Sequence, residues 1–354
     1  LDRAPAPGEL ELLRGAVHRA EHGEHDGGLD EGAAADGGAS EQVEVDHRVG
    51  GAALTKVEAD AGRDGDGDGP LGWGALSGLT VDPANPARLF AVSDSAYDAM
   101  PSIYTIDASA TPARITARTT VTRDGAPAEK LDLEGIAADG DGGFWLASEG
   151  DAEKEVPHAV LHVDASGAIT QDFPLPDTLA EGATRFGFEG VAVHDGKLWL
   201  AVQREWKDDP KGQTKLLQLD PASGEWAGVR YPLESGDGWV GLSEIAIHGD
   251  DLYVLERDNL IGEAAALKQI TRVALSDLKP APLGGDLPVV TKEVVRDLIP
   301  DLKAANGYVM DKVEGMAIAP DGTVRVSTDN DGVDDASGET LFWSFGLETQ
   351  TAAQ

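Results

Sequence analysis

Cysteine is absent from this 354-residue chain. That removes disulfides, thiolate metal sites, iron–sulfur clusters and cysteine nucleophiles, and it leaves the compartment open, because an exported protein need not carry disulfides. Positive charge is scarce: 28 Lys and Arg stand against 64 Asp and Glu, a formal net charge of -36. Phosphate backbones and anionic membrane surfaces both require clustered Lys and Arg, so neither nucleic acid nor a lipid surface is an expected partner. No apolar run approaches the ~18 residues of a membrane-crossing helix, so no membrane insertion is expected. Aromatic residues make up only 5% of the chain, whereas glycine reaches 44 residues. That glycine share is well above the usual level of about 7% and points to many tight turns rather than long helices. The sequence holds no G-x-S-x-G elbow, phosphate-binding P-loop, Rossmann glycine fingerprint or H-E-x-x-H helix, so those chemistries are not indicated.

The length allows one large or two ordinary domains. Residue 1 is Leu, with no charged-then-apolar leader, as expected of a processed or partial sequence. Residues 1–50 read as a low-complexity segment, disordered or artefactual, because 23-GEHDGGLDEGAAADGGASEQ-42 offers almost no large apolar side chain to a core. His18, His22 and His25 have nominal metal spacing, but Gly23 interrupts their helix, and solvated residues are the expectation there. The run 64-DGDGDG-69 begins like a calcium loop, yet Ala75 stands where such a loop needs a bidentate Glu. Residues 51–348 form the expected folded domain and 349–354 a tail.

Within that domain one unit recurs: 76-LSGLTVDPANPARLFAVSDS-95, 133-LEGIAADGDGGFWLASEGD-151, 188-FEGVAVHDGKLWLAVQRE-205, 242-LSEIAIHGDDLYVLERDN-259 and 313-VEGMAIAPDGTVRVSTDND-331. Each is an apolar strand, a Gly/Asp/Asn turn and a second strand ending in charge. A third strand follows every pair, and a fourth follows four of them, at 114–121, 168–175, 225–233 and 290–298. Four strands repeated at such a period are the signature of propeller blades. The expectation is an all-β protein, a β-propeller of about five to six four-stranded blades, with a β-sandwich as the alternative. The last unit lacks its fourth strand, and 52-AALTKVEADA-61 is expected to supply it and close the ring. A sixth blade would lie in a missing N-terminal portion or in the long interval 260–312.

In a propeller, the residues opening strand one and closing strand two converge on one mouth of the central channel. The opening residues here are Ser77, Glu134, Glu189, Ser243 with Glu244, and Glu314; the closing residues are Asp94, Glu149 with Asp151, Glu205, Glu256 with Asp258, and Asp329 with Asp331. Carboxylates about 4 Å apart repel by roughly 4 kcal/mol in partly screened protein. A ring of them therefore calls for protonation or a cation. With oxygen ligands only, Ca²⁺ is the expected ion, on Glu134, Glu149, Glu189, Glu314, Asp329 and Asp331. The plain alternative is acids bonding locally at turns. Arg204 and Arg257 close strands in consecutive units, and Lys312 precedes a Glu-Gly pair. These three are candidates to contact an anionic substrate, or else to pair with neighbouring acids. His158, His162 and His194 read as ordinary strand or turn residues.

The repeated units LEGIAADGDGGFWLASEGD, FEGVAVHDGKLWLAVQRE, LSEIAIHGDDLYVLERDN and KVEGMAIAPDGTVRVSTDNDG resemble the phytase-like family of bacterial propellers, described as having esterase-like activity of phytase. The resemblance covers about residues 70–348. It implies an exported propeller, secreted or at the cell surface or periplasm, with a link to phosphoester hydrolysis. Three functions follow as expectations: a calcium-dependent phosphoesterase or esterase that attacks a small anionic ester with metal-activated water, a sugar lactonase of the gluconolactonase type, or a non-catalytic calcium-stabilised binding propeller. No residue stands out as a nucleophile, and the oligomeric state is not legible.

Overall fold

Each repeated unit becomes an antiparallel sheet in the computed structural model. The structure describes residues 53–59, 73–95, 100–151, 153–304, 308–310, 312–329 and 340–347. The 1–50 segment, the 64–69 run, Asp331 and the 349–354 tail lie outside the described residues. Strand β1 is Ala53–Ala59. The first blade is β2 (Leu76–Asp82), β3 (Asn85–Ser93), β4 (Ser102–Asp107) and β5 (Ala113–Thr120). A small hairpin, β6 (Thr122–Arg123) and β7 (Ala126–Pro127), leads to the second: β8 (Leu133–Ala138), β9 (Phe144–Ser148), β10 (Ala159–Val163) and β11 (Ile169–Pro174). After the one-turn helix α1 (Asp177–Ala180) comes the third blade: β12 (Phe188–His194), β13 (Lys197–Val202), β14 (Gln213–Asp220) and β15 (Glu225–Pro232). The fourth is β16 (Val240–His248), β17 (Asp251–Asp258), β18 (Lys268–Ala274) and β20 (Glu293–Asp297), while β19 (Ala281–Pro282) adds to the outer edge of β15. Helix α2 (Ile299–Ala304) precedes the fifth blade, β21 (Val313–Ile318), β22 (Thr323–Thr328) and β23 (Leu341–Gly346).

The fifth blade takes its fourth strand from β1. Residues 53–56 of β1 run antiparallel to β23, with Ala53 opposite Ser344, and residues 57–59 run parallel to β5, with Val57 opposite Ala113. The strand thus clasps the last blade to the first. The blade number is five among the described residues. The interval 260–312 holds β18, β19, β20 and α2, which serve the third and fourth blades rather than a sixth.

The inner strands neighbour one another in the cyclic order β2, β8, β12, β16, β21 and back to β2. Apolar side chains are buried between blades rather than inside any one of them. Val92 and Ile103 of the first blade pack with Ile136 and Leu146 of the second. Ala147 and Val160 pack with Val191 and Leu200 of the third. Trp199 meets Ile245 and Val254, Leu255 meets Met316 and Val326, and Leu79 meets Ala317 and Phe342 to complete the circle. Strands covered on both faces read as near-continuous apolar runs, which is what β8, β12 and β21 are.

Two local features shape the axis. Four of the five inner strands carry glycine at the same place, Gly78, Gly135, Gly190 and Gly315; a Cβ at Gly78 would meet the backbone of Glu134 and Gly135, and one at Gly135 that of Glu189 and Gly190. Glycine is needed for the inner strands to touch backbone to backbone. In the fourth blade Glu244 occupies that place, and its carboxylate spans the axis. It accepts the N–H of Leu79 from the first blade at 3.0 Å and that of Ile245 at 2.9 Å. The second feature is a bulge, repeated in all five blades, where the ladder between strands one and two slips: at Leu76/Leu79, Leu133/Gly135, Phe188/Val191, Leu242/Glu244 and Val313/Gly315. A bulge leaves one residue without a partner opposite and re-aims its side chain.

Candidate active site

The bulges bring together Ser77, Glu134, Glu189, Ser243 and Glu314, one from each blade. All five are buried. Ser77 Oγ donates to Glu134 Oε2 at 2.6 Å. Gln203 Nε2 donates to Glu189 Oε1. Arg257, itself buried, donates from Nε to Ser243 Oγ at 2.9 Å and from Nη2 to Glu314 Oε1 at 2.5 Å. Burial and then the repulsion of Glu189, Asp132, Asp94 and Glu314 push the Glu134 carboxyl well above its ordinary value. Burial and then Glu149 and Glu314 do the same to Glu189. Burial would also raise Glu314, but Lys312 and Arg257 outweigh it and hold that carboxyl below its ordinary value. Two acids of the ring are thus pushed toward the protonated form, which a further cation would relieve, and the third is held toward its carboxylate by its own cations.

Above the ring, loops from neighbouring blades form the rim. Glu149 closes β9 and is almost fully buried; its Oε1 accepts the Gly187 N–H at 2.8 Å, and Arg185 Nε lies 3.8 Å from Oε2. Burial first, then Asp132, push its carboxyl up to about 7 against the pull of Gly187 and Arg185. His158 ties the loops together. Its Nδ1 accepts the Gly150 N–H at 2.9 Å, so its Nε2 is the protonated nitrogen and donates to the Thr184 carbonyl at 2.7 Å. A Cβ on Gly150 or on Gly187 would collide with that imidazole. This histidine is a clamp between the second and third blades, more than the ordinary strand residue its position suggests.

Phe186 has left-handed backbone, φ 66°, an uncommon state for a bulky residue and one that collects at functional sites. Its ring and that of Trp239 are 6.1 Å apart between centroids, and the Arg204 guanidinium stacks on both, 4.5 Å from Phe186 and 4.6 Å from Trp239. Arg257 flanks Trp239 at 5.2 Å and Arg185 flanks Phe186 at 5.7 Å. Cations and rings thus alternate across the third and fourth blades: Arg185, Phe186, Arg204, Trp239, Arg257.

The sequence candidates are placed as follows. Glu134, Glu189 and Glu314 lie in the central ring. Glu149 lies at the rim, and Asp329 takes Lys312 Nζ at 3.2 Å. Arg257 is committed to Glu314 and Ser243, whereas Arg204 rests against its two rings. Among the described residues no group of three or more His, Cys, Asp or Glu side chains is arranged to hold a metal ion. What the ring offers a cation is the pair Glu134 and Glu189: hard oxygen donors whose raised carboxyls a bound divalent ion would relieve. Sequence reasoning missed Phe186, Trp239 and His158, because their partners lie in other blades.

Residues 71–332 match the family model Phytase-like, described as esterase-like activity of phytase. No curated protein matches the chain by sequence. Among solved structures, the chain is similar to a luciferin-regenerating enzyme, at 13% identity over 77% of this chain and 78% of that one, with a TM-score of 0.42. It is also similar to a putative oxidoreductase (glucose dehydrogenase) of Thermus thermophilus, at 14% identity over 78% and 85%, TM-score 0.38. The major allergen Mala s 1 of Malassezia sympodialis is similar at 11% identity over 77% and 95%, TM-score 0.43.

Proposed function

The chain belongs to the phytase-like family, and from that premise we propose that it hydrolyses a small anionic ester at the mouth of the propeller. The observation that carries the reading is that a buried carboxyl, Glu149, accepts the N–H of Gly187, next to Phe186, whose ring carries the Arg204 guanidinium, while His158 locks the loops of Glu149 and Phe186 to each other. A base works best when its pKa lies near the working pH, and Glu149 sits at about 7. Glu149 takes a proton from water as the water oxygen bonds to the ester centre. The bond to the leaving oxygen then breaks, and Glu149 returns the proton to it. One water is consumed and Glu149 ends as it began. Arg204 holds the anionic part of the substrate, while Lys312 and Arg257 hold Glu314 toward its carboxylate form.

Calcium dependence belongs to the same proposal. Glu134 and Glu189 are the residues that would hold Ca²⁺, and the ion would supply positive charge beside the ester oxygen. An exported setting, where calcium is plentiful, suits this. Among the described residues no helix is long and apolar enough to cross a membrane.

The test is turnover of aryl carboxylic esters, aryl phosphates and sugar lactones by the full chain, with EDTA and with Ca²⁺. Glu149→Gln should lower kcat by about 10²–10⁴-fold. In the unaltered protein kcat/KM should rise through about pH 7, as the carboxylate form of Glu149 is reached. Unchanged kcat in Glu149→Gln would remove Glu149 as the base. Selective lactone turnover would move the protein to the lactonases. A calcium-raised melting temperature with no turnover on any of these substrates would leave a binding propeller.

A further inference from the structure

Three positive charges around the mouth are matched by acids. Arg257 is matched by Glu314, Lys312 by Asp329, and Arg185 faces Glu149. Elsewhere in the third blade Lys215 sits between Asp208 and Asp209, and Lys197 lies beside Asp220. Arg204 differs. Among the described residues its guanidinium makes no ion pair and no side-chain hydrogen bond; its contacts are the two rings. The acid whose charge it feels, Glu205, has Oε1 occupied by the Gly212 N–H at 2.8 Å. Held against two rings at the mouth, this guanidinium keeps N–H donors for an anion supplied from outside.

The stacking decides how that partner is held. The two ring centroids lie 4.5 and 4.6 Å from the guanidinium carbon and 6.1 Å from each other, so Phe186 and Trp239 meet Arg204 as a corner and leave an N–H edge open. That edge is a planar pair of donors matched to the two oxygens of one carboxylate. The two rings are also apolar walls for whatever carbon chain the carboxylate is attached to. One unmatched cation accommodates one negative charge. The reacting end of the substrate, by contrast, must lie beside Glu149, with Glu134, Glu189 and Glu314 below it. A phosphate would bring its charges against the carboxylate of Glu149, the form in which that residue acts as base, and a neutral carboxylic ester would not.

We infer that the substrate is a carboxylic ester bearing a single free carboxylate away from the bond that breaks, such as a half-ester of a dicarboxylic acid, with Arg204 as the residue that selects it. This rests on the hydrolytic reading above. The reaction is the one already written: water adds to the acyl carbon, Glu149 receives and returns its proton, and the acyl C–O bond breaks to release an alcohol. The new acid then ionises, so a half-ester leaves as a dicarboxylate, whose second charge among the acids of the mouth favours departure.

The experiment compares mono-p-nitrophenyl adipate with p-nitrophenyl hexanoate, which have equal acyl length and differ in one carboxylate, and with p-nitrophenyl phosphate. The full chain is assayed at low and high salt. The adipate half-ester should exceed the hexanoate at least 10-fold in kcat/KM, chiefly through KM, and the advantage should shrink with salt. Arg204→Gln should bring the ratio of the two to about 1, and Arg204→Lys, which keeps the charge without the planar edge, should fall between. A ratio near 1 in the unaltered protein overturns the inference, as does a ratio indifferent to Arg204→Gln in a variant that melts as the unaltered protein does. Faster turnover of the phosphate overturns it too. Failure of hydrolysis itself is read separately, by calorimetric titration with monomethyl adipate. Binding weakened at least 10-fold by Arg204→Gln upholds the carboxylate site even if none of the three esters is cleaved, and absence of binding overturns it.

Discussion

Glu189 and Glu314 occupy equivalent bulges in the third and fifth blades, yet they titrate in opposite directions. The difference lies in the neighbours: Lys312 and Arg257 hold Glu314 down, Arg257 by a direct hydrogen bond, whereas Glu189 has a neutral amide from Gln203 and a carboxylate neighbour in Glu149. This has a consequence for stability. A carboxyl whose folded pKa is raised binds its proton more tightly in the folded chain than in the unfolded one. Its contribution is therefore complete below the ordinary carboxylate range and is lost as pH climbs through the folded value. Glu149 alone, raised from 4.5 to about 7, represents roughly 3 kcal/mol across that window at about 1.4 kcal/mol per unit. Without added divalent ions the melting temperature should fall between pH 5 and pH 8. Glu189→Gln, neutral at every pH, should flatten that decline, and parallel pH–melting curves for the two proteins would count against it. Glu314 acts in the other sense, contributing above the ordinary range and losing its share in acid.

At the level of strands and turns, the close approach of the inner strands is the feature most exposed to substitution. A Cβ at Gly135 would run into the carbonyl of Glu189 in the next blade, so Gly135→Ala should destabilise by about 1–3 kcal/mol in denaturant melts. The same change at Gly196, a turn glycine with open space around it, acts only through its left-handed backbone, φ 73°, and should cost less. These inner strands were legible in the sequence because their pattern repeats: an apolar run, a Gly/Asp turn, a second run. The closing strand was legible too, since 52–61 was the unclaimed apolar stretch and the last unit was one strand short. What the pattern could not carry was the slip of the ladder. A bulge adds one residue without altering composition, so Glu134 read as the start of a strand, and only the pairing shows it as the extra residue turned toward the axis. Glu244 stood out as the exception among the glycines, but its span across the axis to Leu79 joins residues 165 apart in sequence. Arg257 was visible as a scarce cation; its partner, Glu314, lies one blade on, where no local pattern points.

For the molecule as a whole, the net charge of -36 sets the response to ions. Repulsion between exposed acids is screened over about 10 Å at 0.1 M salt, so monovalent salt should raise the melting temperature gradually. A divalent cation bound between Glu134 and Glu189 should act at far lower concentration, with a rise of several degrees on replacing EDTA by Ca²⁺. If Ca²⁺ does no more than NaCl of equal ionic strength, the ring binds no such ion. The clasp made by β1 has a further effect, on timing. Ala53 pairs with Ser344 and Val57 with Ala113, so the chain's early strand is complete long before its antiparallel partner has been made. At about 5–20 residues per second, the ribosome needs on the order of a quarter of a minute to a minute to bridge that interval. Throughout it, β1 and the outer edge of the first blade wait as an open seam. The nascent chain is thus vulnerable to pairing with another copy for longer than any later strand, and release from the ribosome, rather than collapse of any single blade, is the moment at which the ring can lock.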